Sequence, residues 1–211
     1  MIEVSHVSKV YKKRTVVDDV TVDFAEGQIT GIVGRNGSGK TVLFRMICGL
    51  TIPTKGEITV NGERIGQDVD FPGSLGAIIE VPGFIGMESG YKNLWNLAKL
   101  RKRIGKGDVR KAMEAVGLDP DEKKAVRKYS LGMRQRLGIA QAIMEDPDVL
   151  ILDEPLNGLD NDGAEEIRAL ICSLRDRGKT IVLASHNMYD ISEMCDQVYY
   201  MDKGRLSESE G

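Results

Sequence analysis

Residues 34–41, Gly-Arg-Asn-Gly-Ser-Gly-Lys-Thr, have the types and spacing needed to bind phosphate. They fit the pattern GxxxxGK[ST] between an apolar run and a stretch with helical periodicity, a placement that favours a phosphate-binding loop over a glycine-rich surface turn. The glycines let successive backbone N–H groups face phosphate oxygens, and the start of the following helix adds partial positive charge. We expect Lys40 to contact the β- and γ-phosphates and the Thr41 hydroxyl to ligate Mg²⁺. The expected nucleotide contacts in this loop are Gly34, Asn36, Gly37, Ser38, Gly39, Lys40 and Thr41.

A pair of acids, Asp153 and Glu154, follows the apolar run at 149–152. An acid at the carboxyl end of a strand faces the crevice where α/β sheets bind ligands. We expect Asp153 to hold Mg²⁺ through water and Glu154 to orient or deprotonate an attacking water. Taken alone, the pair is equally consistent with a strand end that is merely solvated. Its position downstream of a phosphate loop favours the chemical interpretation.

The elements that must position these residues indicate an α/β fold. The first thirty residues are rich in β-branched types and predict short antiparallel strands, whereas the apolar runs at 28–33, 149–152 and 180–184 predict parallel strands covered on both faces. Three predicted helices interrupt this rhythm at about 91–104, 108–116 and 131–145. We therefore predict a P-loop NTPase parallel-sheet core with an N-terminal antiparallel β subdomain and an inserted helical subdomain. A single domain is expected over residues 1–211, with the helical lobe at about 88–146.

Composition narrows the setting in which the chain works. Among 211 residues the formal net charge is −3, which gives no general attraction to nucleic acid, and we expect no nucleic-acid partner. Three cysteines without a CxxC pair argue against a disulfide framework or zinc site and favour a reducing cytosolic compartment. The first residues do not resemble a signal peptide, and no apolar run is long enough to cross a membrane. A transport role would therefore need a membrane part from another polypeptide.

Residues 129–136, Tyr-Ser-Leu-Gly-Met-Arg-Gln-Arg, resemble the signature of ABC-transporter ATPases, Leu-Ser-Gly-Gly-Gln followed by a basic-Gln-Arg run. Ser130 and Gly132 agree with that signature, while the residues at 129, 131 and 133 differ from it. A Ser hydroxyl and the free backbone N–H groups at a helix start can donate hydrogen bonds to a γ-phosphate. Without the other motifs, a helix simply capped by serine would be the preferred interpretation.

Further motifs resemble those of the same family and follow one another in the family's order. Residues 156–160 resemble its D-loop, which implies that Asp160 links the two halves of a dimer, and His186 resembles the switch histidine that contacts the γ-phosphate. Tyr11 lies where the family carries an aromatic that stacks on adenine. Glu80 stands where most relatives have a glutamine that touches Mg²⁺ or water and the membrane subunits. A carboxylate there adds negative charge and cannot donate the hydrogen bonds of an amide, although it is equally a simple strand-end acid.

The resemblance implies how the protein works. Two cassettes would sandwich ATP, with the signature of each completing the other's site. ATP and Mg²⁺ are the expected cofactors, and transmembrane permease subunits and a second ATP-binding subunit, in a homodimer, are the expected partners at the cytoplasmic face of a bacterial membrane. Residues 79–84 together with 129–136 resemble subunits that export, or confer immunity to, peptide antibiotics of the bacitracin and lantibiotic type.

Three alternatives compete with a transporter ATPase. A soluble ABC ATPase that remodels a ribosomal or other cytosolic complex usually carries tandem cassettes, long coiled coils or basic arms, which this sequence lacks. A kinase would need an acceptor site and a lid, and a GTPase would need an Asn-Lys-x-Asp motif, which is absent from the sequence. A degenerate module that binds nucleotide without hydrolysis is disfavoured because Glu154 and His186 are both present.

Overall fold

The computed structural model describes residues 1–80 and 83–208, which form two β-sheets and six α-helices. A 3₁₀ turn at Val126–Lys128 precedes the fourth helix. The strands are β1 (Ile2–Tyr11), β2 (Arg14–Phe24), β3 (Ile29–Val33), β4 (Lys55–Val60), β5 (Glu63–Arg64), β6 (Leu75–Ile78), β7 (Val149–Asp153), β8 (Thr180–Ala184), β9 (Gln197–Asp202) and β10 (Arg205–Ser207). The helices are α1 (Lys40–Ile47), α2 (Gly90–Arg101), α3 (Lys106–Ala115), α4 (Leu131–Ile143), α5 (Asn161–Asp176) and α6 (Met188–Met194).

The first sheet has the strand order β2-β1-β4-β5 and is antiparallel throughout. Its central strand β1 places Ile2 opposite Phe24 on one side and Val60 on the other. All three of these side chains are buried in one apolar cluster. The predicted antiparallel strands at the N-terminus are therefore confirmed, and they close over one face of the larger sheet.

The second sheet carries the predicted parallel core, in the order β10-β9-β3-β8-β7-β6. All neighbouring strands are parallel except the terminal pair β9 and β10, which was not anticipated from the sequence. Along β7, Leu150 and Leu152 pack in one apolar cluster, while Val149 and Ile151 pack in the other. Continuous apolar runs form these strands because helices and the first sheet cover both faces.

Helices α2, α3 and α4 lie between β6 and β7 in the sequence, as the helical pattern predicts. Leu94, Met113 and Leu137, one from each helix, are fully buried in the same cluster as Leu150 of the parallel sheet. The helices are shorter than predicted at their C-termini; α2 stops at Arg101 because Lys102 adopts a left-handed backbone, with φ at 55°. That these helices form a separate lobe within one domain stays a prediction.

Strand β6 ends two residues before Glu80, so the predicted strand-end position of that acid is confirmed. Val81 and Pro82, which belong to the stretch 79–84 behind the subfamily resemblance, lie outside the described residues.

Candidate nucleotide-binding site

The phosphate-binding loop joins the carboxyl end of β3 to the first residue of α1, as predicted. Gly39 precedes the helix with φ at 119°, and a Cβ there would lie 2.7 Å from the carbonyl oxygen of Val16. A Cβ on Gly34 would collide with the carbonyl oxygen of Met201. Only glycine fits both positions, so the neighbouring chain segments hold this loop in its cradle shape.

A cavity of about 470 Å³ lies over the loop and is lined by residues 36–42, Glu80, Asp153 and Glu154, among others. The Ser38 side chain lines this cavity, and its hydroxyl is buried without a hydrogen-bond partner in the described part of the chain. A buried hydroxyl of this kind is costly unless something accepts its proton. A phosphate oxygen in the cavity would supply that acceptor.

Lys40 is 7% exposed, and its ammonium donates hydrogen bonds to the carbonyl oxygens of Gly34, at 2.5 Å, and Arg35, at 3.3 Å. Burial lowers the pKa of Lys40, while attraction to Glu154 and Asp153 acts in the opposite direction. Its charge is thus poorly hydrated and held over the loop by backbone oxygens. An anion in the cavity would stabilise this charge more than water does.

Thr41 and Asp153 meet across the cavity floor, where the Thr41 hydroxyl donates to Oδ2 of Asp153 at 2.7 Å. Burial raises the pKa of Asp153; the hydrogen bond from Thr41 lowers it, and the charge of Glu154 raises it further. A hydroxyl and a half-buried carboxylate are hard oxygen donors, the type that Mg²⁺ prefers in sites completed by phosphate. The two side chains therefore fit the metal that the sequence predicts.

Glu154 and His186 follow the neighbouring strands β7 and β8 and form a pair in which Oε2 of Glu154 lies 2.8 Å from Nδ1 of His186. The His186 side chain is 71% exposed, whereas that of Glu154 is 25% exposed. The backbone of Glu154 is left-handed, with φ at 52°, and its N–H donates to the carbonyl of Ala184 at 2.9 Å. This arrangement presents a carboxylate to the cavity with an imidazole beside it, as general-base chemistry requires.

Glu80 lines the same cavity, but its carboxylate is paired with Arg45 of α1. The distance from Oε2 of Glu80 to the Arg45 guanidinium is 3.1 Å, and the Glu80 side chain is 59% exposed. Sequence reasoning did not anticipate this ion pair, because the two residues are 35 positions apart. A role for Glu80 toward the metal stays a prediction.

Tyr11 lies at the end of β1 and does not line the cavity over the loop. Its hydroxyl is 3.4 Å from that of Thr51, and the ammonium of Lys9 lies 5.0 Å from its ring centre. A stacking contact between Tyr11 and adenine stays a prediction.

Ser130, Gly132 and Asp160 line a second cavity, of about 740 Å³, which shares Leu131 with the cavity over the phosphate loop. Ser130 caps α4 by accepting a hydrogen bond from the backbone N–H of Met133 at 3.1 Å. Asp160 caps α5 in the same way through Gly163. The residues predicted from the signature and the D-loop thus line one cavity together, while Lys40 and Thr41 line the other.

Gln135 is a residue of the first cavity to which the sequence analysis assigned no role. Its side-chain amide donates to the carbonyl oxygens of Pro155, at 2.9 Å, and Glu154, at 3.2 Å. The only signal in the sequence is its place in the basic-Gln-Arg run that follows the signature.

A strand–loop–helix phosphate cradle beside two strand-end acids defines a P-loop nucleotide-binding domain. Comparison with known proteins gives the family: the ABC transporter profile matches residues 17–157, and the chain belongs to this family. It is an ATP-binding and ATP-hydrolysing subunit, which confirms the predicted activity.

Three relatives align along nearly the whole chain. The uncharacterized ABC transporter ATP-binding protein YybJ of Bacillus subtilis is 43% identical, over 100% of this chain and 96% of that protein. The bacitracin transport ATP-binding protein BcrA of Enterococcus faecalis is 42% identical, over 99% of this chain and 68% of that protein. The lantibiotic transport ATP-binding protein SrtF of Streptococcus pyogenes is 32% identical, over 98% of this chain and 89% of that protein.

A solved structure, the dimeric structure of MJ0796, a bacterial ABC transporter cassette, superposes with a TM-score of 0.88 over 100% of both chains. At 22% sequence identity this likeness supports the fold alone, and it confirms the predicted fold class.

Proposed function

We propose that the chain is one of two identical cassettes that hydrolyse Mg²⁺-bound ATP at the cytoplasmic face of a bacterial membrane. There it drives permease subunits that export a peptide antibiotic or a similar amphiphile. The observation that carries the two-cassette part is that Ser130 does not line the cavity over the phosphate loop but lines a neighbouring one.

A second copy would supply what the first cavity lacks. Ser130 is exposed at the N-terminus of α4, where a hydroxyl, backbone N–H groups and the helix dipole all favour an anion. In a twofold dimer each signature surface meets the other copy's phosphate loop, so both sites are completed by one isologous contact. The monomer is therefore expected to be nearly inactive.

Within one copy, the side chains of the first cavity divide the work of hydrolysis. The phosphate loop and Lys40 bind and orient the β- and γ-phosphates, which the buried lysine charge stabilises. Glu154 accepts the proton of the attacking water, while His186, held 2.8 Å from its carboxylate, keeps that carboxylate oriented and reaches the γ-phosphate. Thr41 and Asp153 would hold Mg²⁺, which supplies positive charge to the phosphate oxygens when bound.

The metal assignment predicts a specific effect at Thr41. Thr41→Val removes the hydroxyl at nearly constant volume and is expected to raise the Mg²⁺ concentration for half-maximal ATP hydrolysis on the order of tenfold. Thr41→Ser keeps the hydroxyl and is expected to stay within about twofold of the unaltered chain. Magnesium titrations of the ATPase rate measure both. Equal magnesium requirements for the Val and Ser variants would remove Thr41 from the metal site.

The proposed cargo and cellular place are supported by the named relatives. BcrA and SrtF are named as bacitracin and lantibiotic transport proteins, which favours a transporter over the alternative of a soluble ribosome-remodelling ATPase. None of the helices in residues 1–80 and 83–208 is long and apolar enough to cross a membrane. Permease subunits on separate polypeptides would provide the path for the cargo.

Deletion of the gene for this chain from its native cell tests the transport proposal. We expect growth to become several-fold more sensitive to bacitracin or a lantibiotic, with the unaltered chain restoring growth and the Glu154→Gln chain failing to do so. The tagged chain should also co-purify with a multispan membrane protein from mildly solubilised membranes. Unchanged sensitivity, together with recovery of ribosomes and no membrane protein, would favour the soluble alternative.

A further inference from the structure

The first turns of α4 contact the segment after β7 at two points. Gln135 donates to the backbone carbonyls of Pro155, at 2.9 Å, and Glu154, at 3.2 Å. Leu131, four residues earlier and so on the same helix face, packs against Gly158. A Cβ on Gly158 would lie 2.5 Å and 2.6 Å from Leu131 side-chain atoms, so this contact is already as close as it can be. The start of α4 and residues 154–158 therefore form one packed unit.

The backbone of Glu154 needs such support. Its φ of 52° is uncommon for any residue other than glycine. The N–H of Glu154 donates to the carbonyl of Ala184 of β8, and its carbonyl accepts from the Gln135 side chain of α4 and from the backbone N–H of Asn157, both at 3.2 Å. Together these bonds fix both peptide planes of the residue, and with them the direction in which its carboxylate leaves the chain toward His186. Without the Gln135 donor, the Glu154 carbonyl keeps only the Asn157 N–H and the Pro155 carbonyl loses its side-chain partner, so the left-handed conformation is held less firmly.

We infer that Gln135 is a positioning residue that holds the backbone of Glu154 in the conformation needed for hydrolysis. The inference rests on the proposed role of Glu154 as the base. Ser130 caps the same helix, so the residue proposed to meet a second copy's nucleotide and the residue that holds the backbone of Glu154 belong to one element.

Three substitutions in the full chain test this role. Gln135→Met keeps the length of the side chain and removes the donor, whereas Gln135→Lys keeps a donor that reaches the same carbonyls. Gln141→Met, six residues further along the same helix, is the matched control. For each variant, kcat and KM for ATP are measured and expressed per nucleotide site, counted by titration with a fluorescent non-hydrolysable ATP analogue.

We expect Gln135→Met to lower kcat about tenfold while KM for ATP stays within about twofold, because the phosphate loop is untouched. Gln135→Lys should keep at least about half of kcat, and Gln141→Met should match the unaltered chain. A role in folding alone would reduce the number of nucleotide sites and leave kcat per site unchanged.

The outcomes separate this inference from the proposed function. An unaltered kcat per site in Gln135→Met, with turnover lost in Glu154→Gln, would overturn the positioning role and leave the base assignment in place. An equal loss in Gln135→Met and Gln135→Lys would also overturn it, because the donor would then be irrelevant. Full turnover in Glu154→Gln would instead refute the base assignment, whatever Gln135 does.

Discussion

Replacing Lys40 with Met is expected to weaken ATP binding on the order of 100-fold, since the loss of one partner of a buried charge pair costs about 2–5 kcal/mol. The Lys40 ammonium is 7% exposed and held by two backbone carbonyls of its own loop. Burial lowers the pKa of Lys40 because the charged form has lost hydration. A phosphate anion beside the ammonium would therefore stabilise that charge strongly. Methionine preserves the length of the side chain and is a good helix former, so α1 should remain intact. Equilibrium binding of a fluorescent ATP analogue measures the loss.

Lys106→Met is the matched control for this experiment. Lys106 begins α3 and lies 5.8 Å from the ring centre of Trp95, and it does not line the cavity over the phosphate loop. ATP affinity in this variant should equal that of the unaltered chain. Binding by Lys40→Met with unchanged affinity would contradict the assignment of the loop as the nucleotide site.

Glu154→Gln is expected to lower kcat on the order of 100- to 1,000-fold, which lies within the range typical of a general base. Glutamine keeps the size of the side chain and still reaches His186, but an amide cannot accept the proton of water. ATP affinity should stay close to that of the unaltered chain because the phosphate loop is unchanged. ATP should therefore accumulate in a closed dimer, which size-exclusion chromatography with ATP and Mg²⁺ detects.

Glu193→Gln, an exposed acid on α6, controls for the loss of one negative charge. It should turn over ATP at the unaltered rate and show no ATP-dependent dimer beyond that of the unaltered chain. If the pure Glu154→Gln chain turns over ATP as fast as the unaltered protein, another group must act as the base.

The parts of the site that could be predicted from sequence are those encoded locally. The loop at 34–41 and the acids at 153 and 154 each follow an apolar strand directly, so their spacing alone places them at one edge of a parallel sheet. Residues 149–152 of β7 are all buried, alternately in the apolar clusters on its two faces, which confirms the continuous apolar run as a core strand. Apolar runs and helical periodicity therefore predicted the scaffold, and the motif spacing predicted the residues that it carries.

The contacts that could not be predicted join residues far apart in the chain. Gln135 bonds to the Glu154 carbonyl 19 positions away, and Arg45 pairs with Glu80 at a separation of 35. Such pairs depend on how the helices pack on the sheet, and local sequence patterns do not predict that packing. The role of Ser130 in another copy's site came from family resemblance, because its own residues predict only a helix cap. In the structure Ser130 lines a different cavity from the phosphate loop, and its role in another copy's site stays a prediction.

The most direct test of the shared site mixes two inactive chains, one with Lys40→Met and one with Ser130→Asp. Aspartate keeps the cap of α4 but places a negative charge against the γ-phosphate, so each variant alone should lack turnover. In an equal mixture half of the dimers combine the two variants, and each of these has one intact site. The mixture should regain about a quarter of the unaltered ATPase rate. A mixture no more active than its separate components would contradict a site built from two copies.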